Sequence, residues 1–173
     1  MSHLRNTLVL TALALSTACA GDGATEPAAN VSPLEARTTD AMGSRPAGGR
    51  CATTITVVGG SETSIALAIS GTCNLGHLGR TTMVAAQTVS LVDGGIVNST
   101  TYTAASGDKL LSSFAGQVVS PPGPDVTFTG TETYHGGTGR FEGASGSSAL
   151  EGTATLGGPA GTGEYTTKGA IKY

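Results

Sequence analysis

From Cys51 onward, apolar and polar side chains alternate in short runs separated by turn residues, the period-two signature of half-buried strands. The clearest run is Val126-Thr127-Phe128-Thr129-Gly130-Thr131-Glu132-Thr133-Tyr134, in which the threonines share one face and Val126, Phe128, Gly130, Glu132 and Tyr134 the other. The last run sets Tyr165, Thr167, Gly169, Ile171 and Tyr173 against Glu164, Thr166, Lys168 and Lys172, and Ile96, Asn98, Thr100 and Tyr102 form a third mixed face. The pattern predicts strands over 53–58, 64–70, 81–91, 96–104, 109–119, 126–135, 147–156 and 163–173. Gly59-Gly60-Ser61-Glu62, Asp93-Gly94-Gly95, Ser106-Gly107-Asp108 and Pro121-Pro122-Gly123-Pro124 supply the turns between them. No segment beyond the N-terminus repeats apolar residues at helical spacing. Antiparallel strands with no covering helix leave two exposed edges, and closure removes both. The expected fold is therefore all-β, an eight-stranded antiparallel up-and-down β-barrel.

In such a barrel the inward faces carry Glu132, Asn98, Tyr102 and Tyr165 among aliphatic residues, which is the make-up of a ligand cavity: apolar, with a few placed polar groups. Glu132 is the only ionisable residue on the apolar face of its strand. Two accounts of it stand open: a carboxyl that reaches water at a barrel mouth or pairs with Arg140 or Arg80, or one that points inward and positions a ligand. An unpaired buried carboxylate costs several kcal/mol, so the second account requires a partner or a proton. In the connection Gly136-Gly137-Thr138-Gly139-Arg140-Phe141-Glu142-Gly143-Ala144-Ser145-Gly146, glycines allow positive φ and Phe141 is expected to plug one barrel end. His77 and Arg80, in the turn Gly76-His77-Leu78-Gly79-Arg80, join Arg140 as rim residues, spaced either to bind an anionic headgroup or only to solvate a loop. His77 and His135 lack a carboxylate and thiol set at ligand spacing, so no metal and no cofactor are expected. Gly143-Ala144-Ser145-Gly146 is not a nucleophile elbow, and no catalytic residues are assigned.

Composition narrows the partners. The 173 residues include 27 glycines, four tyrosines, three phenylalanines and no tryptophan, and the formal charge is −3 without a basic stripe. Nucleic acid is not an expected partner.

The N-terminus sets the address. Arg5, the apolar run Leu8 to Leu15 and Ser16-Thr17-Ala18-Cys19 have the layout of a secretory signal, too short to span a bilayer. The ending resembles the lipobox of bacterial lipoproteins, with Leu15 one place further from the cysteine than usual. This implies residues 1–19 as signal, Cys19 as the acylated residue and a membrane as partner through that anchor. Cleavage after Ala18-Cys19-Ala20 would instead give a soluble periplasmic or extracellular protein. Residues 20–50, with Pro27, Pro33 and Pro46 and no sustained apolar period, are expected to form a disordered tether to a barrel domain over 51–173. Cys51 and Cys73, an even pair in an exported chain flanking the first two strands, are expected to form a disulfide.

The glycine-rich connection also resembles the Gly-Gly-Thr-Gly-x-Phe-x-x-Ala-x-Gly turn of plant dirigent proteins, and Gly136-Gly137, Gly139 and Phe141-Glu142-Gly143 resemble the matching turn of allene oxide cyclases. With Gly76-His77-Leu78-Gly79-Arg80 and Ala105-Ser106-Gly107-Asp108-Lys109-Leu110, the chain is similar to uncharacterised exported bacterial proteins of that barrel fold. The resemblance implies an eight-stranded barrel around an apolar ligand. It places none of the plant enzymes' catalytic residues on this chain. The expected function is an exported, lipid-anchored barrel that binds a small apolar or amphipathic ligand. The alternatives are a packed structural or interaction domain of the envelope, a cyclase-like enzyme, and a transmembrane barrel.

Overall fold

The structure, a computed structural model, describes residues 43–120, 123–157 and 160–173. The strands are β1 (Arg45–Pro46), β2 (Gly49–Gly60), β3 (Ser64–Leu75), β4 (Gly79–Ser90), β5 (Gly95–Ala104), β6 (Lys109–Val118), β7 (Asp125–Gly137), β8 (Ser145–Thr155) and β9 (Ala160–Lys172), with one 3-10 turn at Gly139–Phe141. Each strand from β2 to β9 pairs antiparallel with the next, and β2 pairs back onto β9, so eight strands close a barrel. The expected fold is the one observed.

Every strand contributes one inward and one outward face, as the alternation predicts. In β7, Glu132 and Tyr134 are buried and Val126, Phe128 and Gly130 half-buried, whereas the threonines between them are exposed. Gly116 of β6 faces Gly130 of β7, and the Phe114 ring occupies the space where a Cβ on either glycine would lie. All seven aromatic residues of the chain belong to the interior or pack on it. β2 and β3 run longer than expected, and strand structure begins before Cys51, inside the segment read as tether. The physical reason is pairing: Gly49 and Arg50 sit between β3 and β9, and Arg45–Pro46 adds to the end of β9. A proline is tolerated there because β1 borders only one strand.

The two barrel ends differ. Connections after β3, β5 and β7 gather at one end, where Leu75, Leu78, Leu110, Phe141, Ala144 and Ile171 form a fully buried plug. Connections after β2, β4, β6 and β8 gather at the other. Toward it the inward side chains Ile65, Ile69, Val89, Val126, Phe128 and Leu156 are only partly buried around Ile55, Leu67 and Ala154, because the interior above them is not filled. Positive charge divides the same way, although Asp108 and Glu142 also stand at the plugged end. Arg45, Arg50, Arg80, Lys109, Arg140, Lys168 and Lys172, all the described lysines and arginines, occupy the half with the plug. Glu62, Asp93 and Asp125 stand at the open end.

Candidate functional site

The unfilled half is a cavity of about 570 Å³ that opens among Leu91, Val92, Asp93 and Leu156 and ends on Glu132, Tyr102 and Tyr165. A volume of this size suits a small organic ligand. Ile55, Leu67, Met83, Ile96, Phe114 and Phe128 make the walls apolar. At the mouth Val92 is 77% exposed and Leu91 55%, an apolar approach to the opening. A second hollow, bordered by Arg50, Arg80, Glu151 and Glu164, lies on the outer wall and receives no buried polar side chain from the interior cluster other than the edge of Tyr165.

The floor is a connected set of hydroxyls around one carboxyl. Tyr102 Oη and Ser112 Oγ each donate to Glu132 Oε1 at 2.7 Å. Tyr102 Oη also lies 3.1 Å from Tyr165 Oη, which sits 3.8 Å from Cys73 Sγ. Tyr134 Oη and Ser148 Oγ are 2.8 Å apart, and Ser148 Oγ donates to the Ala47 carbonyl at 2.9 Å. Five strands build this cluster, with Ser148 supplied by β8. Tyr102 comes from β5, Ser112 from β6, Glu132 and Tyr134 from β7 and Tyr165 from β9. A bulge between β6 and β7 sets Ser112 opposite Tyr134, and Phe114 opposite Glu132.

Glu132 is 2% exposed, and none of the described lysines or arginines pairs with it. Burial pushes its carboxyl above the ordinary glutamate value, an effect opposed by the hydroxyls of Ser112, Tyr102 and Tyr134. Burial likewise drives the Tyr102 phenol well up, with Tyr165 and then Glu132 adding to it, and raises Tyr134 and Tyr165 above the normal phenol range. The tyrosines therefore stay neutral donors. A carboxyl raised in the folded state stabilises the fold in full below its unfolded value near 4.5, and that stability is lost as pH rises through the higher folded value. Urea unfolding across this range is expected to show wild type losing stability with pH, by about 1.4 kcal/mol for each unit the carboxyl is raised. Glu132→Gln, which keeps the acceptor for Tyr102 and Ser112, should lack that slope. Parallel pH profiles for the two proteins would contradict this.

The sequence-selected residues fall in three places. Glu132, Tyr102, Tyr165 and Asn98 all line the cavity, and Asn98 bonds to Gln87 Oε1 at 3.3 Å and accepts from Thr100 Oγ1 at 3.1 Å. Glu132 sits on the cavity floor rather than at a barrel mouth, and meets neither Arg80 nor Arg140. His77, Arg80 and Arg140 stand at the plugged end of the barrel, away from the cavity mouth, His77 and Arg140 in connections and Arg80 at the start of β4. There Arg140 donates to the Leu78 carbonyl at 3.3 Å, lies 3.8 Å from Asp108 and stacks 4.7 Å over the Phe141 ring. Cys19 lies outside the described residues. Cys51 and Cys73 face each other across β2 and β3 with Cα atoms 4.0 Å apart, and their sulfurs are bonded beneath Tyr165. Ser112 and the walls of β2, β3 and β4 were not singled out from sequence. Ser112 sits between Leu110 and Phe114 on an alternating face, which was a usable signal.

Among the described residues no helix is long and apolar enough to cross a membrane, and no cluster of three or more His, Cys, Asp or Glu could hold a metal ion. No family model, curated protein or solved structure matches the chain.

Proposed function

We propose that this protein is an exported barrel that binds a small apolar or amphipathic ligand and is held at a membrane by an acylated Cys19. The observation that carries the binding is the half-filled interior, a cavity of about 570 Å³ closed at one end and floored by Glu132 and its hydroxyls. A domain kept only for its wall would gain by packing that space, since unfilled interior forfeits dispersion contacts. The resemblance to dirigent and allene oxide cyclase turns points the same way. Export and anchoring rest on Arg5, the run Leu8 to Leu15 and Cys19, with the Cys51–Cys73 pair in keeping with an oxidising compartment. An inside-out distribution of aromatics weighs against a transmembrane barrel, which places them in outward girdles.

The test is saturable binding of a neutral apolar dye. Nile red is expected to brighten on addition of the protein and to saturate at one dye per barrel. Ala154→Phe places a ring in the cavity and should weaken the dye by at least about tenfold, or roughly 1.4 kcal/mol. Ala154 is buried and lines the space. No saturable binding by the wild-type barrel, or equal binding by the filled one, would remove the proposal.

A further inference from the structure

We infer that the ligand is a lipophilic cation, an amine on an apolar body, seated head-down against Glu132. The inference rests on the ligand-binding reading above and adds the chemical class. Three independent features agree on it.

The first is the floor. Among the described residues Glu132 is the one acid on the chamber floor, its neighbours are the neutral hydroxyls of Tyr102, Ser112 and Tyr165, and none of the described lysines or arginines is placed to neutralise it. A carboxylate in such a site is short of a cation. An ammonium group brings one, with three donors that the carboxylate and the tyrosine oxygens can take. The second feature is the mouth, which Asp93 lines, with Glu62 and Asp125 elsewhere at the same end of the barrel. Asp93 is held in its charged form by Ser90 and by the Gly95 N–H that it accepts at 3.0 Å. A cleft lined by one sign of charge concentrates ligands of the other. The third is segregation: all seven described lysines and arginines lie in the opposite half, where they do not oppose an incoming cation. An anionic amphiphile would meet like charge at both mouth and floor, and a neutral one would gain nothing from either.

The groups facing Glu132 from the surrounding strands are Tyr102 of β5, Ser112 of β6, Tyr134 of β7, Ser148 of β8 by way of Tyr134, and Tyr165 of β9. The Cys51–Cys73 disulfide below does not titrate. Of the two described acids that line the chamber, Glu132 on the floor is raised by burial and Asp93 at the mouth is lowered by its hydrogen bonds, so on acidification Glu132 takes its proton first.

The experiment compares decylamine, decanol and decanoate by calorimetry, below their micellar concentrations, against wild type and Glu132→Gln. Decylamine should bind about tenfold or more tighter than decanol at neutral pH, decanoate weakest. The preference should disappear in Glu132→Gln while decanol binding persists. In the wild-type protein, which needs no variant to fold, the preference should shrink as pH falls and Glu132 takes a proton. Equal affinity for amine and alcohol, a preference that survives the substitution, or decanoate binding best would overturn the cation assignment and leave the cavity function standing. Failure of all three probes, together with failure of Nile red, would overturn the binding function itself.

Discussion

Phe141→Ala should unfold at markedly lower urea than wild type, with a loss of about 3–5 kcal/mol, the cost typical of emptying a large aromatic site. Phe141 is 0% exposed and is the centre of the plug. It arrives there by a connection that no ordinary chain could follow, because Gly136, Gly139 and Gly143 all adopt positive φ, at 94°, 59° and 74°. The ring packs edge-on against Tyr173 at 5.0 Å and lies under the Arg140 guanidinium. Removing it strips contacts from Tyr173 and the surrounding plug, and the barrel wall cannot collapse to refill the gap because its circumference is fixed by closure. Phe141→Leu keeps most of the volume and should cost less than about 1.5 kcal/mol. Since the plug and the ligand cavity lie at opposite ends, folded Phe141→Ala protein should still bind Nile red with near wild-type affinity. A loss under about 1 kcal/mol, or loss of dye binding with the fold intact, would show that the two ends are not the separate structures described.

The wall of this barrel was legible in the sequence because a strand's period is two and each inward position leaves an apolar trace. Val126, Phe128, Glu132 and Tyr134 were placed correctly by that rule alone, as were Ile96, Asn98, Thr100 and Tyr102. What alternation cannot convey is register between strands. Tyr102 and Glu132 are 30 residues apart on strands separated by β6, so their contact depends on the offset of two pairings and on the bulge opposite Leu110 and Ser112. β2 and β3 extend beyond their expected spans through Gly49, Gly60 and Gly71, glycines without a side chain to register in the alternation, which in the sheet lie against the neighbouring backbone. Which end of the barrel His77, Arg80 and Arg140 occupy was recoverable. In an up-and-down barrel alternate connections share an end, so the turn at Gly76 to Arg80 must lie with the one carrying Phe141, at the plug and away from any opening. Cavity volume was beyond reach of pattern. It depends on how far opposing side chains extend, layer by layer, and Ile65, Val89 and Val126 look from sequence like any other core residues.

Joint replacement of Cys51 and Cys73 by alanine should destabilise the barrel by about 3 kcal/mol, the chain-entropy value for a cross-link of this span. The two positions are separated by 22 residues and lie opposite each other near the plugged end of β2 and β3. The bond therefore ties the hairpin at the end remote from its turn, where the unfolded chain would otherwise have to close the whole loop. Against a typical stability of about 5–15 kcal/mol for a domain, this is a large fraction, and it should lower Tm by roughly 10 °C in a barrel of this size. Both sulfurs are buried, with Cys73 Sγ near Tyr165 Oη, so alanine leaves a small void as well, and the measured loss should not fall below the entropic one. The check is paired: melting of wild type with and without reductant, beside the double variant. Reduced wild type and the variant should both melt well below the oxidised protein, and the variant should not respond to reductant. If oxidised and reduced wild type melt together while thiol labelling confirms that both states were obtained, the cross-link contributes nothing, and hairpin pairing alone holds β2 to β3.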